Sequence, residues 1–195
     1  MAPASAQAAG LRLQIVSVPC PESPYVNAVV SVEDALGEAP TLGAGQFRAT
    51  VDGAPASVQS ADLATSEDAP LDALIVFDTS GSMAGAPLAA AKDAAHALIA
   101  ELGPQDRVAV MDFGDDVRVL QDYTPDRAAL TATIDGLVAQ GNTALYQATA
   151  DAAAKAATSP AARRVVVLLS DGADFGGRSR ATREEAATAA GASGV

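Results

Sequence analysis

Residues 73–83 read ALIVFDTSGSM, five apolar residues running without a break into an acid and a string of hydroxyls and glycine. A run such as Ala73–Phe77, with no polar alternation, predicts a strand buried on both faces, as parallel sheets require. Downstream, Leu88, Ala91, Ala95, Leu98, Ile99 and Leu102 recur at helical spacing until Gly103-Pro104 interrupts them. Val108–Phe113 predicts a second strand, Gly114-Asp115-Asp116 a turn and Val117–Leu120 a third strand. Ala-rich helices are expected around Asp126–Val138 and Ala144–Ala157, separated by Gly141-Asn142. Val165–Leu169 is another wholly apolar strand. Ala181–Ala190 predicts a helix with Glu184 and Glu185 early and Gly191 past its end as a cap. This order is that of an α/β fold, most simply a doubly wound, mostly parallel sheet.

Upstream, residues 11–64 have a different character. Val26, Ala28, Val30 and Val32 alternate with Asn27 and Ser31, and Phe47, Ala49 and Val51 with Arg48 and Thr50. Asp52-Gly53 is a hairpin signal, and a short strand around Val58 could return from it. These segments predict a small antiparallel β unit, with too few strands to close a sandwich alone. Residues 1–10 are small and unpatterned, which fits a disordered start or the remnant of a secretory signal. Residues 65–70 form a polar linker, and 71–195 the α/β domain. Cys20 sits between two prolines and reads as a lone loop thiol rather than a lipid-attachment site.

Composition excludes several functions. With 24 acidic against 12 basic residues and a net charge of −12, the chain would repel a nucleic-acid backbone and an anionic membrane alike. No apolar stretch is long enough to span a bilayer. One cysteine and one histidine leave no cysteine- or histidine-rich metal site. Alanine makes up about a quarter of the chain and tryptophan is absent, which suits close helix–sheet packing better than an aromatic ligand cage.

The chemistry lies where the two apolar strands stop. Parallel strands direct their C-terminal ends at the ligand crevice. The first ends in Asp78-Thr79-Ser80-Gly81-Ser82, the second in Ser170-Asp171-Gly172. Asp78, Ser80 and Ser82 alternate along a loop that opens a helix, and Thr143 opens another. With Asp171 they make an all-oxygen set suited to a hard cation such as Mg²⁺. Each piece also has a plain structural use, since Asp-x-Ser and Thr at such junctions serve as helix N-caps and Ser-Asp-Gly as a turn. Asp115, Asp116 and Asp174 read as solvated turn residues rather than an acidic rim.

Asp78–Met83, together with Asp106–Val119, Gly141–Tyr146 and Val165–Gly172, resembles the von Willebrand factor type A (VWA) domains that carry a metal-ion-dependent adhesion site. The likeness runs from Leu71 to Val195. It implies a Rossmann-like sheet in the order 3-2-1-4-5-6 and a bound Mg²⁺, or Mn²⁺ or Ca²⁺. It implies that Ser80 and Ser82 bind the ion directly, Asp78 and Asp171 largely through water, and Thr143 by either route. A partner protein's Glu or Asp would take the open coordination position. The β region at Val26–Asp34, Gly37, Phe47 and Asp52-Gly53 is similar to one preceding such domains in bacterial surface or secreted proteins, which implies an extracellular or surface setting. The last two strands of the family's sheet are absent, so the chain reads as cut off.

Other readings meet specific obstacles. A serine hydrolase fails on register, because Gly81-Ser82-Met83-Ala84-Gly85 puts Met where the nucleophile belongs, and His96 reads as a solvated helix residue. A nucleotide-binding P-loop is missing. A Mg²⁺-dependent phosphoryl-transfer enzyme using Asp78 would want a second acid and a nearby lysine, yet position 80 is Ser. A metal-stabilised domain without a ligand is the third reading. The sequence favours a non-enzymatic, metal-dependent protein-binding module.

Overall fold

The apolar run Ala73–Phe77 is wholly inaccessible to solvent, and the architecture explains why. The computed structural model describes residues 6–8, 11–18, 26–36, 40–63, 69–161, 163–172 and 174–193. They divide into two units, Met1–Ala69 and Pro70–Val195.

In the first unit, β1 (Ala6–Ala8), β2 (Leu11–Ser17) and β3 (Val29–Glu33) form an antiparallel sheet in that order. β1 lies in the stretch expected to be a disordered start or signal remnant. β4 (Ala49–Val51) and β5 (Ala54–Ala56) form a separate hairpin. Its two turn residues, Asp52 and Gly53, both have positive φ, the geometry that matches the right-handed twist of the paired strands. The chain therefore returns at once, at Ala54–Ala56, rather than around Val58. Cys20, Gly37 and most of the expected linker lie outside the described residues.

In the second unit, β6 (Leu71–Asp78) leads through α1 (Ala86–Glu101) to β7 (Arg107–Phe113). β8 (Val117–Thr124) turns back beside β7, followed by α2 (Arg127–Asp135) and α3 (Leu145–Ala157). β9 (Arg163–Leu169) and α4 (Arg183–Ala192) complete it. The four strands lie in the order β8-β7-β6-β9, which is 3-2-1-4 within the unit. β6 runs parallel to β7 and β9, while β8 is antiparallel to β7.

β6 is central and its alternate residues serve two cores. Ala73, Ile75 and Phe77 pack with Val108, Val110, Leu88, Ala91, Ala95 and Ile99 of the α1 side, where Leu130 and Ile134 of α2 join them. Leu74 and Val76 pack with Ala109, Met111, Phe113, Ala148 and Ala152 on the α3 side. A strand covered on both faces cannot alternate in polarity, which is why the run reads as unbroken. The apolar stripe of α1 falls where helical spacing put it. α4 runs through Gly191 to Ala192 and is capped by Ser193, whose N–H bonds back to the Ala189 and Ala190 carbonyls, so Gly191 is not its cap. The fold delivers the C-terminal ends of β6 and β9, two neighbouring parallel strands, to the same edge of the sheet.

Candidate functional site

Asp78 ends β6 fully buried. Its Oδ1 accepts the Ser80 N–H at 2.8 Å and its Oδ2 accepts the Ser170 hydroxyl at 2.6 Å. The second bond ties the ends of β6 and β9 together. Bonds of this length to both oxygens hold the carboxylate in one orientation.

From Ser80 the chain enters a single 3-10 turn, Gly81–Met83. The Ser80 and Ser82 hydroxyl oxygens lie 3.1 Å apart, and the Ser82 hydroxyl donates to Asp171 Oδ1 at 3.0 Å. Ser80 is buried, while Ser82 and Asp171 are exposed. Three oxygens thus form a contiguous chain from the buried floor to the surface. Adjacent oxygens around an octahedral Mg²⁺ at about 2.0–2.1 Å lie about 2.9 Å apart, close to both separations.

The loop is held from two sides. Thr79 donates both its N–H, at 2.7 Å, and its hydroxyl, at 3.1 Å, to the Phe113 carbonyl. The same hydroxyl reaches Asp112 Oδ2 at 3.4 Å, a buried carboxylate that Arg118 grips with Nε and Nη2. On the other side, Gln140 N–H donates to the Thr79 carbonyl at 2.6 Å and Gly81 N–H to the Gly141 carbonyl at 3.0 Å. These bonds place the segment containing Thr143 against the loop. Thr143 is buried and pairs by backbone with Phe175.

The helix-cap readings fail here. The N-cap of α1 is Gly85 and that of α3 is Ala144, neither with a side-chain cap bond. Asp78, Ser80, Ser82 and Thr143 therefore do not cap the long helices that follow them. Among the described residues no cluster of three or more His, Cys, Asp or Glu is placed to hold a metal. A cation at this edge would be held by the mixed set of Asp78, Ser80, Ser82, Thr143 and Asp171.

Some contributors were not among the sequence candidates. Ser170 read only as part of a turn, yet it is Asp78's hydroxyl partner. Asp115 is a brace rather than a bare turn residue. Its carboxylate accepts Asn142 Nδ2 at 2.7 Å and pairs with Arg178 Nε at 2.9 Å. The Asn142 bond first, and Arg178 beside it, hold that carboxyl below its ordinary range. Asp174 likewise accepts the Ser179 hydroxyl and, at 3.2 Å, the Tyr146 N–H. His96 is off the apolar stripe as expected, with Nε2 3.0 Å from Asp135 Oδ1. No sequence signal marks these long-range pairings.

Residues 73–173, more than half the chain, match the model of the von Willebrand factor type A domain. The chain belongs to this family. A VWA domain of Catenulispora acidiphila superposes with TM-score 0.53 at 28% identity, covering 62% of this chain and 30% of that one. The VWA domain of the type V pili tip protein Mfa5 from Porphyromonas gingivalis gives TM-score 0.50 at 27% identity, covering 54% and 39%. An uncharacterized protein of Synechocystis is 35% identical over 102 residues, 48% of this chain and 24% of its own length. This chain's likeness thus spans about a quarter of that relative. The match to the VWA model ends just past Asp171, so it spans all five candidate donors.

Proposed function

We propose that the VWA unit is a non-enzymatic protein-binding module that works through a divalent cation, Mg²⁺ or alternatively Mn²⁺ or Ca²⁺, held by Asp78, Ser80, Ser82, Thr143 and Asp171. The observation that carries this reading is the oxygen chain Ser80–Ser82–Asp171, with separations of 3.1 and 3.0 Å, above a buried Asp78. Oxygen donors with few charges suit a hard cation. The cation would supply an electrophilic position for a carboxylate of the partner protein. The residues do the rest. Asp78 contributes fixed negative charge from below, its two oxygens oriented by Ser80 N–H and Ser170, and the exposed Ser82 and Asp171 form the rim that a partner meets.

Nothing in this arrangement favours the phosphoryl-transfer reading. Both oxygens of Asp78 are engaged and the carboxylate is buried, unlike an exposed nucleophile. Lys92 Nζ is spent on the Asp135 and Leu137 carbonyls, and Lys155 Nζ on Asp122. The similarity to a VWA domain of a pilus tip protein supports a protein-interaction role in a surface or extracellular setting. Among the described residues no helix is long and apolar enough to cross a membrane.

Thermal unfolding in millimolar Mg²⁺ against EDTA tests the reading. With metal about a hundredfold above its Kd, binding contributes about 2.7 kcal/mol and raises the Tm by roughly 5–10 °C. Ser82→Ala and Asp171→Ala, both at exposed positions, should abolish the rise while leaving the EDTA melting temperature nearly unchanged. A wild-type melt indifferent to Mg²⁺ and Mn²⁺ would contradict the site, and phosphomonoester hydrolysis that depends on Asp78 would contradict the non-enzymatic role.

A further inference from the structure

In the VWA unit Phe77 and Phe113 are fully buried, whereas Phe175 is 71% exposed. Single exposed apolar side chains are ordinary on protein surfaces, and Val138 is one. Phe175 differs in its attachment. Its N–H donates to the Thr143 carbonyl at 2.9 Å and its carbonyl accepts the Thr143 N–H at 3.3 Å. The aromatic residue is therefore bonded twice to the backbone of a candidate cation donor.

The backbone after it is braced as well. Gly176 has φ +81°, and a Cβ there would lie 2.6 Å from Asn142 Oδ1. Arg178 pairs with Asp115, and the Ser179 hydroxyl bonds Asp174 and accepts the Gln147 N–H at 3.1 Å. A ring left to solvent on so constrained a segment offers contact area with little backbone entropy to lose on binding.

Charge says what kind of partner needs that ring. A carboxylate approaching a chain of net charge −12 meets long-range repulsion, not steering. Short-range contacts beside the cation must then carry the complex. We infer that Phe175 is the apolar half of a two-part docking surface. Its occupant is a protein segment that carries an apolar side chain close to the Asp or Glu directed at the metal. This inference rests on the metal-site reading above.

The test uses the full chain and two sets of labelled peptides, one with Glu flanked by Leu or Phe and one with Glu flanked by Gly or Ser. In Mg²⁺ the wild type should bind the first set about tenfold more tightly, and EDTA should abolish binding of both. Phe175→Ala should remove the preference while keeping the Mg²⁺-induced rise in Tm. A preference that survives in Phe175→Ala overturns the inference and leaves the metal reading standing. The same holds if sedimentation shows Phe175 holding two copies of the chain together instead. Loss of the Mg²⁺ response in the wild type itself overturns both.

Discussion

Tyr123 shows how one atom can shape stability away from the site. Its hydroxyl is buried and has no hydrogen-bond partner among the described residues, while its ring lies 5.8 Å from the Arg107 guanidinium carbon and 5.3 Å from Lys155 Nζ. Burial first, then the Asp72 and Asp122 carboxylates, push the phenol up from 10.0 to about 12. Folded and unfolded chains are both protonated below pH about 10, so the contribution of this group is intact there. It is lost as the pH rises towards about 12, because the unfolded phenol ionises first. Tyr123→Phe should be neutral or slightly stabilising at neutral pH, since it removes an unpaired buried hydroxyl. It should also flatten the alkaline fall in the denaturation midpoint, measured by urea titration across that range. At this scale the sequence offers the candidate donors and is silent about their supports. The candidates stand out as oxygen-bearing residue types at strand and helix ends. Ser170 and Asp115 gain their roles only from partners 92 and 27 positions away, which no local pattern encodes.

Among the elements, the segment from Gly141 to Thr143 is the joint between loop and helix. Gly141 has φ +84°, and a Cβ there would lie 2.6 Å from Asp115 Oδ2. Gly141→Ala should therefore cost about 1–3 kcal/mol by chemical denaturation. Because the Gly141 carbonyl accepts the Gly81 N–H, the same variant should weaken Mg²⁺ affinity. At α4, Thr182 accepts the Glu185 N–H and the Glu185 carboxylate accepts the Thr182 N–H. Thr182→Ala should cost about 1 kcal/mol by the same measurement, with no change in metal affinity. β6, buried on both faces, and β9, whose apolar residues are partly buried against both cores, were legible to within a few residues. Elements whose ends depend on tertiary contacts were less so. β8 continues to Thr124 because β7 offers a partner as far as Val108, although Gln121 and Asp122 break its apolar pattern and none of its residues is fully buried. Gly191 carries the usual mark of a helix end, but the helix continues through it.

For the whole molecule, the core is unevenly shared. Apart from Ala69, every buried apolar side chain among the described residues belongs to Pro70–Val195. Local stability follows buried apolar contact, so hydrogen exchange should be slowest at the amides of β6 and β7. Those of β2 and β3 should exchange orders of magnitude faster, and equal protection in the two units would contradict this assignment. The five candidate oxygen donors all lie in the better-packed unit, Pro70–Val195. Mn²⁺ titration followed by electron paramagnetic resonance tests most directly whether these oxygens hold a divalent ion. The expected result is one saturable Mn²⁺ site per chain, displaced by Mg²⁺ and absent in Ser82→Ala and Asp171→Ala. No saturable site, or one that survives both substitutions, would contradict it.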